Sequence, residues 1–277
     1  MRFFKENKLF FIIAFLVRNV FVKLMIRKRV KLTQQEKDIL KVLKRDGIVT
    51  IPNYFDEVQC REIKSEHDKF TEQHSFHCEE NENRIFGIDK LSNKVDAMFS
   101  KDRLSWNICE AYLGEKMKLQ TTMSARIDYK NGLEYGSGGS WHRDSFSSQI
   151  KSISYLTDMT DENGPFMYVK GSHTLWSIIK VLFKLQKKGV KANYPRYTTG
   201  EIGTVCELLG TEVSYFPCNK GTLVLADIRG LHTTRYLKGG FAYSIFNYYI
   251  AKLDHNENGP IKKLEFKCIS GSFSAHK

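Results

Sequence analysis

The pattern of apolar and polar positions changes character near residue 117. In parts of the chain before that point, apolar residues recur every three or four positions, which is typical of amphipathic helices. After it, short alternating or β-rich segments follow one another. Turn residues separate them, among them the Asn-Gly pairs at 131–132 and 163–164. The pattern predicts helices first and a sheet-rich body after them.

Two helices are predicted ahead of that sheet-rich body. In KLTQQEKDILKVLKRDG, Thr33 and Glu36 have the spacing of a capping box, and Gly47 ends the helix. IVTIPNYF then predicts a short strand closed by a turn, and DEVQCREIKSEHDKF predicts a second amphipathic helix. Residues 71–100 are polar, and we expect them to be irregular.

The second half of the chain predicts strands in KLQTTMSARIDYK, SISYLTD, PFMYVKG, EVSYFP, GTLVLAD and FAYSIFNYYIAKL. An insertion near 174–200 interrupts them, and its first half predicts a basic amphipathic helix with Lys180, Lys184 and Lys187 on one face. A solvated helix is favoured there over a second membrane-facing element. The expected fold is mainly β with flanking helices, a double-sheet jelly roll whose open mouth can hold small molecules and metals.

Composition and charge narrow the function classes. The length of 277 residues suits one large domain, and six scattered cysteines without a C-x-x-C pair indicate reduced thiols. The net charge is +12, but residues 1–31 hold nine Lys/Arg and one acid, a net of +8. The other 246 residues share +4. Because the body is nearly balanced, no nucleic-acid partner is expected.

The basic arm at 1–31 predicts contact with a membrane. Its apolar run from Leu9 to Val17 has nine residues, whereas a spanning helix needs about 20. Polar and basic positions fall on about one third of the helix circumference, which favours a helix lying in the interface of an anionic membrane. A tilted anchor, a helix packed on the domain or a dimer contact, and a cleaved signal are the alternatives. We therefore expect an arm at 1–31, a jelly-roll domain at 32–277, and a cytoplasmic location, peripheral or N-terminally anchored.

A candidate metal site starts in SWHRDSF at 140–146. His142 and Asp144 are two positions apart, so on a strand they point to the same face. His232, ninety positions after His142, would complete two histidines and one carboxylate. This is the ligand set of non-haem Fe(II) oxygenases, which leaves positions free for a co-substrate and dioxygen. An H-x-D pair alone is weak evidence for a metal site, because it often occurs by chance. The alternative is that the three residues are unrelated.

The flanks of these residues resemble the phytanoyl-CoA dioxygenase family. The run W-H-x-D-S, then ISYLTDMTDENGPFMYVKGSH and GTLVLADIRGLH, carries the resemblance, which covers roughly residues 33–250. It implies a double-stranded β-helix and a hydroxylation, or related oxidation, coupled to decarboxylation of 2-oxoglutarate. It also implies that Fe(II) is bound by His142, Asp144 and His232. At a membrane, the expected substrate is small or lipid-linked.

One family position is changed in this chain. Members of the family place an arginine about ten residues after the distal histidine, where it pairs with the far carboxylate of 2-oxoglutarate, and here that position is Ala242. A replacement cation is one explanation, with Arg235 nearest, Lys238 or Arg126 behind it, and Thr234 and Tyr243 assisting. Weak binding of 2-oxoglutarate or use of another keto acid is the second. The third is a catalytically silent jelly-roll binding protein that retains the fold.

Other candidate ligands are given structural roles. His173 follows a strand and is not a ligand in the family, so we expect it to cap or pack near the inserted helix. His74 and His77 with Cys78 lie in a polar stretch, where a surface or lid segment is favoured over a metal site. Arg143 points away from the face of His142 and is expected to be structural.

Overall fold

A computed structural model describes residues 17, 30–77, 81–99, 102–114, 116–133, 135, 138–147, 149–187, 196–252 and 260–272. Almost all of the basic arm at 1–31 therefore lies outside the described residues. Within the ranges given, no helix is both long enough and apolar enough to cross a bilayer.

Strands of the described chain belong to two antiparallel sheets. In chain order they are β1 (Ile48–Ile51), β2 (Phe76–His77), β3 (Glu82–Phe86), β4 (Met117–Asp128), β5 (Trp141–His142), β6 (Gln149–Tyr155), β7 (Phe166–Val169), β8 (Arg196–Tyr197), β9 (Val213–Phe216), β10 (Leu223–Asp227), β11 (His232–Thr234) and β12 (Phe241–Ala251). The larger sheet has the order β1-β10-β6-β12-β4-β3-β2, and the smaller has β8-β5-β11-β7-β9.

Helices flank both sheets. They are α1 (Gln34–Asp46), α2 (Glu57–His74), α3 (Ile88–Leu91), α4 (Asn93–Phe99), α5 (Arg103–Leu113), α6 (Leu175–Lys187), α7 (Thr199–Leu209) and α8 (Pro260–Ser270). The capping box of α1 forms as predicted, because Thr33 Oγ1 accepts from the Glu36 amide at 3.2 Å and Glu36 accepts from the Thr33 amide at 2.7 Å. Gly47 ends the helix at a φ of 82°, a conformation that favours glycine.

The core lies between the sheets and beneath the helices. One apolar cluster joins the facing sides of the two sheets and includes Ile127, Tyr155, Phe166 and Ala242. Other clusters place α1 and α5 on the outer face of the larger sheet and α6 and α7 against the smaller one. Burial on both faces explains why the first four residues of β10, LVLA, are all apolar instead of alternating with polar ones.

The structure corrects one prediction and adds elements that the pattern did not reveal. The six predicted strands of the second half are present, and so are the helices α1, α2 and α6. The expectation that residues 71–100 are irregular is wrong, since β3 pairs with β4 there and α3 and α4 follow. Pairing with a neighbouring strand overrides the polar composition, and Ile85 is fully buried. The helices α5, α7 and α8 were not predicted.

Candidate metal centre

His142 and His232 lie side by side on paired strands. In the antiparallel pairing of β5 with β11, His142 stands directly opposite His232. Residues in that relation point to the same face of a sheet. Their ring centroids are 4.5 Å apart, and both side chains line one cavity between the sheets. The topology therefore brings together two residues that are ninety positions apart in sequence.

Asp144 joins the two histidines from the turn that follows β5. Its amide donates to the carbonyl of Ile228 at 3.1 Å, which fixes the turn against the segment before β11. Its Oδ1 lies 3.0 Å from His142 Nε2 and 3.4 Å from His232 Nε2. One potential ligand atom from each residue lies within 4.8 Å of the others, a spacing at which one metal ion could be held.

Backbone carbonyls orient both imidazole rings. His142 Nδ1 lies 2.8 Å from the Ser140 carbonyl, and His232 Nδ1 lies 2.9 Å from the Gly230 carbonyl. A carbonyl can only accept, so each Nδ1 carries the proton. The lone pair of each Nε2 then points towards Asp144. Metal-binding histidines are commonly fixed in this way by a hydrogen bond from the other ring nitrogen.

His232 carries the observation that best fits a metal. The residue is 2% exposed, and its Nε2 has no hydrogen-bond partner among the described residues. A buried polar atom left unpaired costs about 1–3 kcal/mol. Burial also lowers the pKa of His232, which keeps the ring neutral and its lone pair available. Two neutral imidazoles and a carboxylate suit Fe(II).

Lys151 balances the charge of Asp144. Its Nζ lies 2.7 Å from Asp144 Oδ2, which leaves Oδ1 facing the histidines. Burial by itself raises the pKa of the Asp144 carboxyl, but the positive charge of Lys151 opposes burial, and the pKa lies well below its usual range. The carboxylate is therefore ionised and able to coordinate a cation.

The loop that delivers His232 is held from behind by a buried polar cluster. Asp227 accepts from Arg229 Nε at 3.0 Å, and the Tyr168 hydroxyl donates to the Asp227 carbonyl at 2.7 Å. Burial raises the pKa of Asp227, but Arg229 outweighs burial and brings it to about 2. A Cβ at Gly230 would overlap the Tyr168 hydroxyl, so only glycine lets the backbone pass this close to the Tyr168 ring.

The other singled-out polar residues have structural contacts. Arg143 is 1% exposed and donates to the Ser172 carbonyl at 2.8 Å. His173 Nε2 lies 3.2 Å from the Lys44 carbonyl, and His74 Nδ1 lies 2.6 Å from a backbone carbonyl of α8. None of these side chains belongs to the cluster of possible metal ligands. The second histidine and the cysteine of HSFHC lie outside the described side chains.

A cavity of about 350 Å³ extends from the metal ligands between the sheets. The register of β12 with β6 defines its two ends, because Tyr248 stands opposite Lys151 while Ser244 stands opposite Tyr155. Lys151 contacts Asp144, so the metal ligands lie near the first end. Tyr155, Leu237 and Ala242 pack together at the second end, and Thr234 and Arg235 also line the cavity.

The predicted co-substrate residues divide into two groups. Thr234 and Arg235 line the cavity, and so does Ala242. Arg235 Nη1 lies 3.5 Å from Asp161 Oδ1, in a partly exposed pair. Strand alternation from His232 would point Arg235 to the opposite face, but β11 ends at Thr234, and Arg235 lines the cavity.

Tyr243 and Arg126 are not among the residues that line the cavity. Tyr243 follows Ala242 on β12 and so faces the opposite side of the sheet. There its hydroxyl donates to Asp68 at 2.5 Å, and Arg126 pairs with Asp128 at 2.9 Å. Lys238 pairs with Glu162 at 2.8 Å. The structure does not bring these two cations and this hydroxyl to the candidate metal centre.

Sequence reasoning missed two cavity residues on β6, Lys151 and Tyr155. Tyr155 is 3% exposed, and within the described chain its hydroxyl has no hydrogen-bond partner. Strand alternation in QIKSISY does place both residues on one face. The sequence could not show that this face is the one turned towards the metal ligands, since β6 is buried on both sides.

Comparison with known proteins identifies the family. The sequence profile described as Phytanoyl-CoA dioxygenase (PhyH) matches residues 43–238. The chain belongs to the phytanoyl-CoA dioxygenase family. This confirms the resemblance and the expected enzyme class, that of the non-haem iron and 2-oxoglutarate-dependent enzymes. Among curated proteins, nothing matches the chain.

Solved structures confirm that this family member has the double-stranded β-helix. SnoN, a non-haem α-ketoglutarate-dependent epimerase from nogalamycin biosynthesis, aligns with a TM-score of 0.59 at 15% identity over 78% of this chain and 83% of its own. HygX from Streptomyces hygroscopicus, with nickel and 2-oxoglutarate bound, aligns with a TM-score of 0.57 at 18% identity over 80% and 88%. AviO1 from Streptomyces viridochromogenes Tue57 gives 0.56 at 14% identity over 82% and 99%.

Proposed function

We propose that this chain is a working Fe(II)- and 2-oxoglutarate-dependent dioxygenase whose iron is held by His142, Asp144 and His232. The single observation that carries the proposal is the buried Nε2 of His232, which lacks a hydrogen-bond partner within the described chain and converges with the other two donors. An ion pair of purely structural value would not leave that nitrogen unpaired.

The protein's own contribution is to hold and orient the reactants. When bound, iron would let dioxygen oxidise the second substrate, and 2-oxoglutarate would supply the other two electrons as it is decarboxylated to succinate and carbon dioxide. The Ser140 and Gly230 carbonyls keep both histidines in the donor tautomer. Lys151 keeps Asp144 ionised and engages its second oxygen.

The far carboxylate of 2-oxoglutarate is assigned to the cavity end that contains Thr234, Tyr155 and Ala242. Alanine offers no charge there, so Arg235 is proposed as the replacement anchor. Its pair with the exposed Asp161 is weak, at 3.5 Å and near solvent. Arg235 can therefore leave Asp161 and pair with the far carboxylate of 2-oxoglutarate instead. The Tyr155 hydroxyl supplies a further donor, whereas Tyr243 and Arg126 are left out because they do not line the cavity.

The second substrate is proposed to be a small or lipid-linked molecule that is oxidised at a cytoplasmic membrane surface. Support comes from the arm at 1–31, which has +8 of the net +12 charge beside an apolar face. The corresponding division is a membrane-contacting arm at 1–31 and a catalytic domain at 32–277, with the helical insertion near 174–200.

A silent binding protein is the second candidate, and Ala242 is the observation that favours it. The family's arginine is absent there, and the surrounding cavity wall is largely apolar. Such a protein would keep the jelly roll and bind a small molecule without turnover. It would bind metal through the same three residues without decarboxylating 2-oxoglutarate.

Succinate formation tests the proposed function. Purified protein loaded anaerobically with Fe(II) is given 2-oxoglutarate and oxygen, with and without a lipid extract that supplies candidate substrates. We expect succinate from the wild type and none above background from Asp144→Asn. A wild type that binds Fe(II) and 2-oxoglutarate but forms no succinate under either condition contradicts the enzyme and supports the silent binding protein.

A further inference from the structure

The outer face of α6 exposes two large aromatic side chains. Trp176 is 80% exposed and Phe183 is 45% exposed. They are seven positions apart, so at 100° per residue they lie on nearly the same line of the helix, about 10 Å apart along its axis. Single exposed aromatics are ordinary, but two in line on one helix indicate a surface that another phase or partner covers.

Lysines flank these aromatics on the same face. Lys180 and Lys184 are both exposed and, with Trp176 and Phe183, fall within about 100° of the helix circumference. Lys180 Nζ donates to the Leu208 carbonyl at 2.8 Å and so also caps the end of α7. The opposite face, which includes Val181 and Leu185, is buried against the smaller sheet.

The sequence that contains α6 carries charge of one sign. The helix contains no Asp or Glu, and the 38 residues between Glu162 and Glu201 hold seven Lys/Arg and no acid. The basic arm at 1–31, with a net charge of +8, is for that reason a poor occupant of this face, and so is the same face of a second copy. The occupant must carry negative charge and accept an indole ring.

We propose that the outer face of α6 docks on an anionic membrane surface. Tryptophan prefers the boundary between headgroups and acyl chains, and lysines beside it reach acidic headgroups. The described face is a convex helix surface, which suits a deformable lipid interface better than a soluble acidic partner. The site is separate from the metal centre and does not depend on its chemistry.

Trp176 itself provides the readout, since the chain has three tryptophans and the other two, Trp106 and Trp141, are partly or fully buried. The full-length protein is mixed with vesicles of phosphatidylglycerol and phosphatidylcholine whose acyl chains are brominated, which quench an inserted indole. We expect the emission of the wild type to fall and shift to shorter wavelength, and the change to be absent in Trp176→Phe. It should also be absent with vesicles of phosphatidylcholine alone and be reversed by salt.

Lys184→Ala should weaken vesicle binding about fivefold, the effect of one basic residue worth about 1 kcal/mol near an anionic surface. The matched control is on α8, where Phe266 is 72% exposed and Lys263 is also exposed. Phe266→Ala and Lys263→Ala should leave quenching of Trp176 unchanged. Vesicle binding by the wild type without quenching of Trp176 overturns the proposal, because another segment then makes the contact. No binding to anionic vesicles overturns it as well.

Discussion

At the scale of single residues, the metal centre depends on where protons and charges sit. Two backbone carbonyls place the protons of His142 and His232 on Nδ1, and Lys151 takes one oxygen of Asp144. The Nε2 atoms of both histidines and Oδ1 of Asp144 therefore face one another and are available to a metal ion. The sequence could predict the three ligands from their spacing and flanks. It could not predict Lys151, because its contact depends on how β6 faces the turn after β5.

Arg235 is the residue on which use of 2-oxoglutarate is expected to depend. Arg235→Ala removes a charge-assisted contact worth a few kcal/mol, so the Kd for 2-oxoglutarate should rise on the order of a hundredfold. Ala242→Arg in that background should recover part of the loss. Calorimetric titration of the metal-loaded protein measures both. Lys238→Ala is the matched control, since Lys238 pairs with Glu162 and is not among the cavity-lining residues.

Tyr155 offers a second measurement on the same carboxylate. Tyr155→Phe deletes one buried hydroxyl with little change in shape and should raise the Kd for 2-oxoglutarate by about tenfold. Pyruvate, which lacks the far carboxylate, should bind the wild type and Tyr155→Phe equally. If Arg235→Ala leaves the Kd unchanged while Tyr155→Phe raises it, the anchor is the hydroxyl and the assignment of Arg235 is wrong.

At the scale of elements, the short connection from β10 to β11 sets the position of His232. Gly230→Ala introduces a Cβ that overlaps the Tyr168 hydroxyl, which itself holds the Asp227 carbonyl. We expect a loss of about 1–3 kcal/mol in the free energy of unfolding and weaker Fe(II) binding. Chemical denaturation and metal titration check the two effects. The control is Gly203→Ala, which meets no atom within 4 Å and lies inside α7. It should raise the free energy of unfolding by up to about 1 kcal/mol through helix propensity and leave Fe(II) binding unchanged.

The packing of α2 on β4 makes stability depend on pH. His67 is fully buried, its Nδ1 lies 2.8 Å from Ser124 Oγ, and burial lowers its pKa from 6.5 to about 4. Between pH 4 and pH 6.5, His67 therefore binds a proton in the unfolded chain but not in the folded chain. Stability should fall as pH drops through this window, by up to about 3 kcal/mol, and be unaffected by this group above pH 6.5.

Denaturant titrations at pH 7 and pH 4.5 measure this effect. His67→Gln should lose stability at pH 7 but show a smaller difference between the two pH values than the wild type. His74→Gln, at the end of the same helix, should keep the wild-type difference. An unchanged difference in His67→Gln would show that another group causes the acid sensitivity.

Element types were more predictable than their partners. Capping residues and strand composition predicted α1 and six strands, since those signals are local. The pairing of Glu82–Phe86 with β4 was not predicted, because the first three residues of the segment are polar. Only its last two, Ile85 and Phe86, are apolar, and both are buried. Likewise, no local signal reveals which face of a doubly buried strand lines the cavity.

At the scale of the whole molecule, residues 1–31 are expected to recruit the enzyme to membranes. Flotation with anionic vesicles should recover the full-length protein in a salt-sensitive way, because two thirds of the net charge (+8 of +12) lies in the arm. Residues 32–277 should float less, and the flotation that persists should depend on contact through α6. Equal flotation of both proteins contradicts a role for the arm, and flotation that ignores salt favours a deeply inserted anchor.

The most direct test of the metal centre is an anaerobic Fe(II) titration of the purified full-length protein. We expect one Fe(II) per chain for the wild type and none for the variant that combines His142→Ala with His232→Ala, with far-ultraviolet circular dichroism showing that the variant is folded. Lys151→Met should bind more weakly than the wild type without losing the site. An Fe(II) stoichiometry that is the same in the wild type and the folded double variant would contradict the assignment of His142, Asp144 and His232 as the iron ligands.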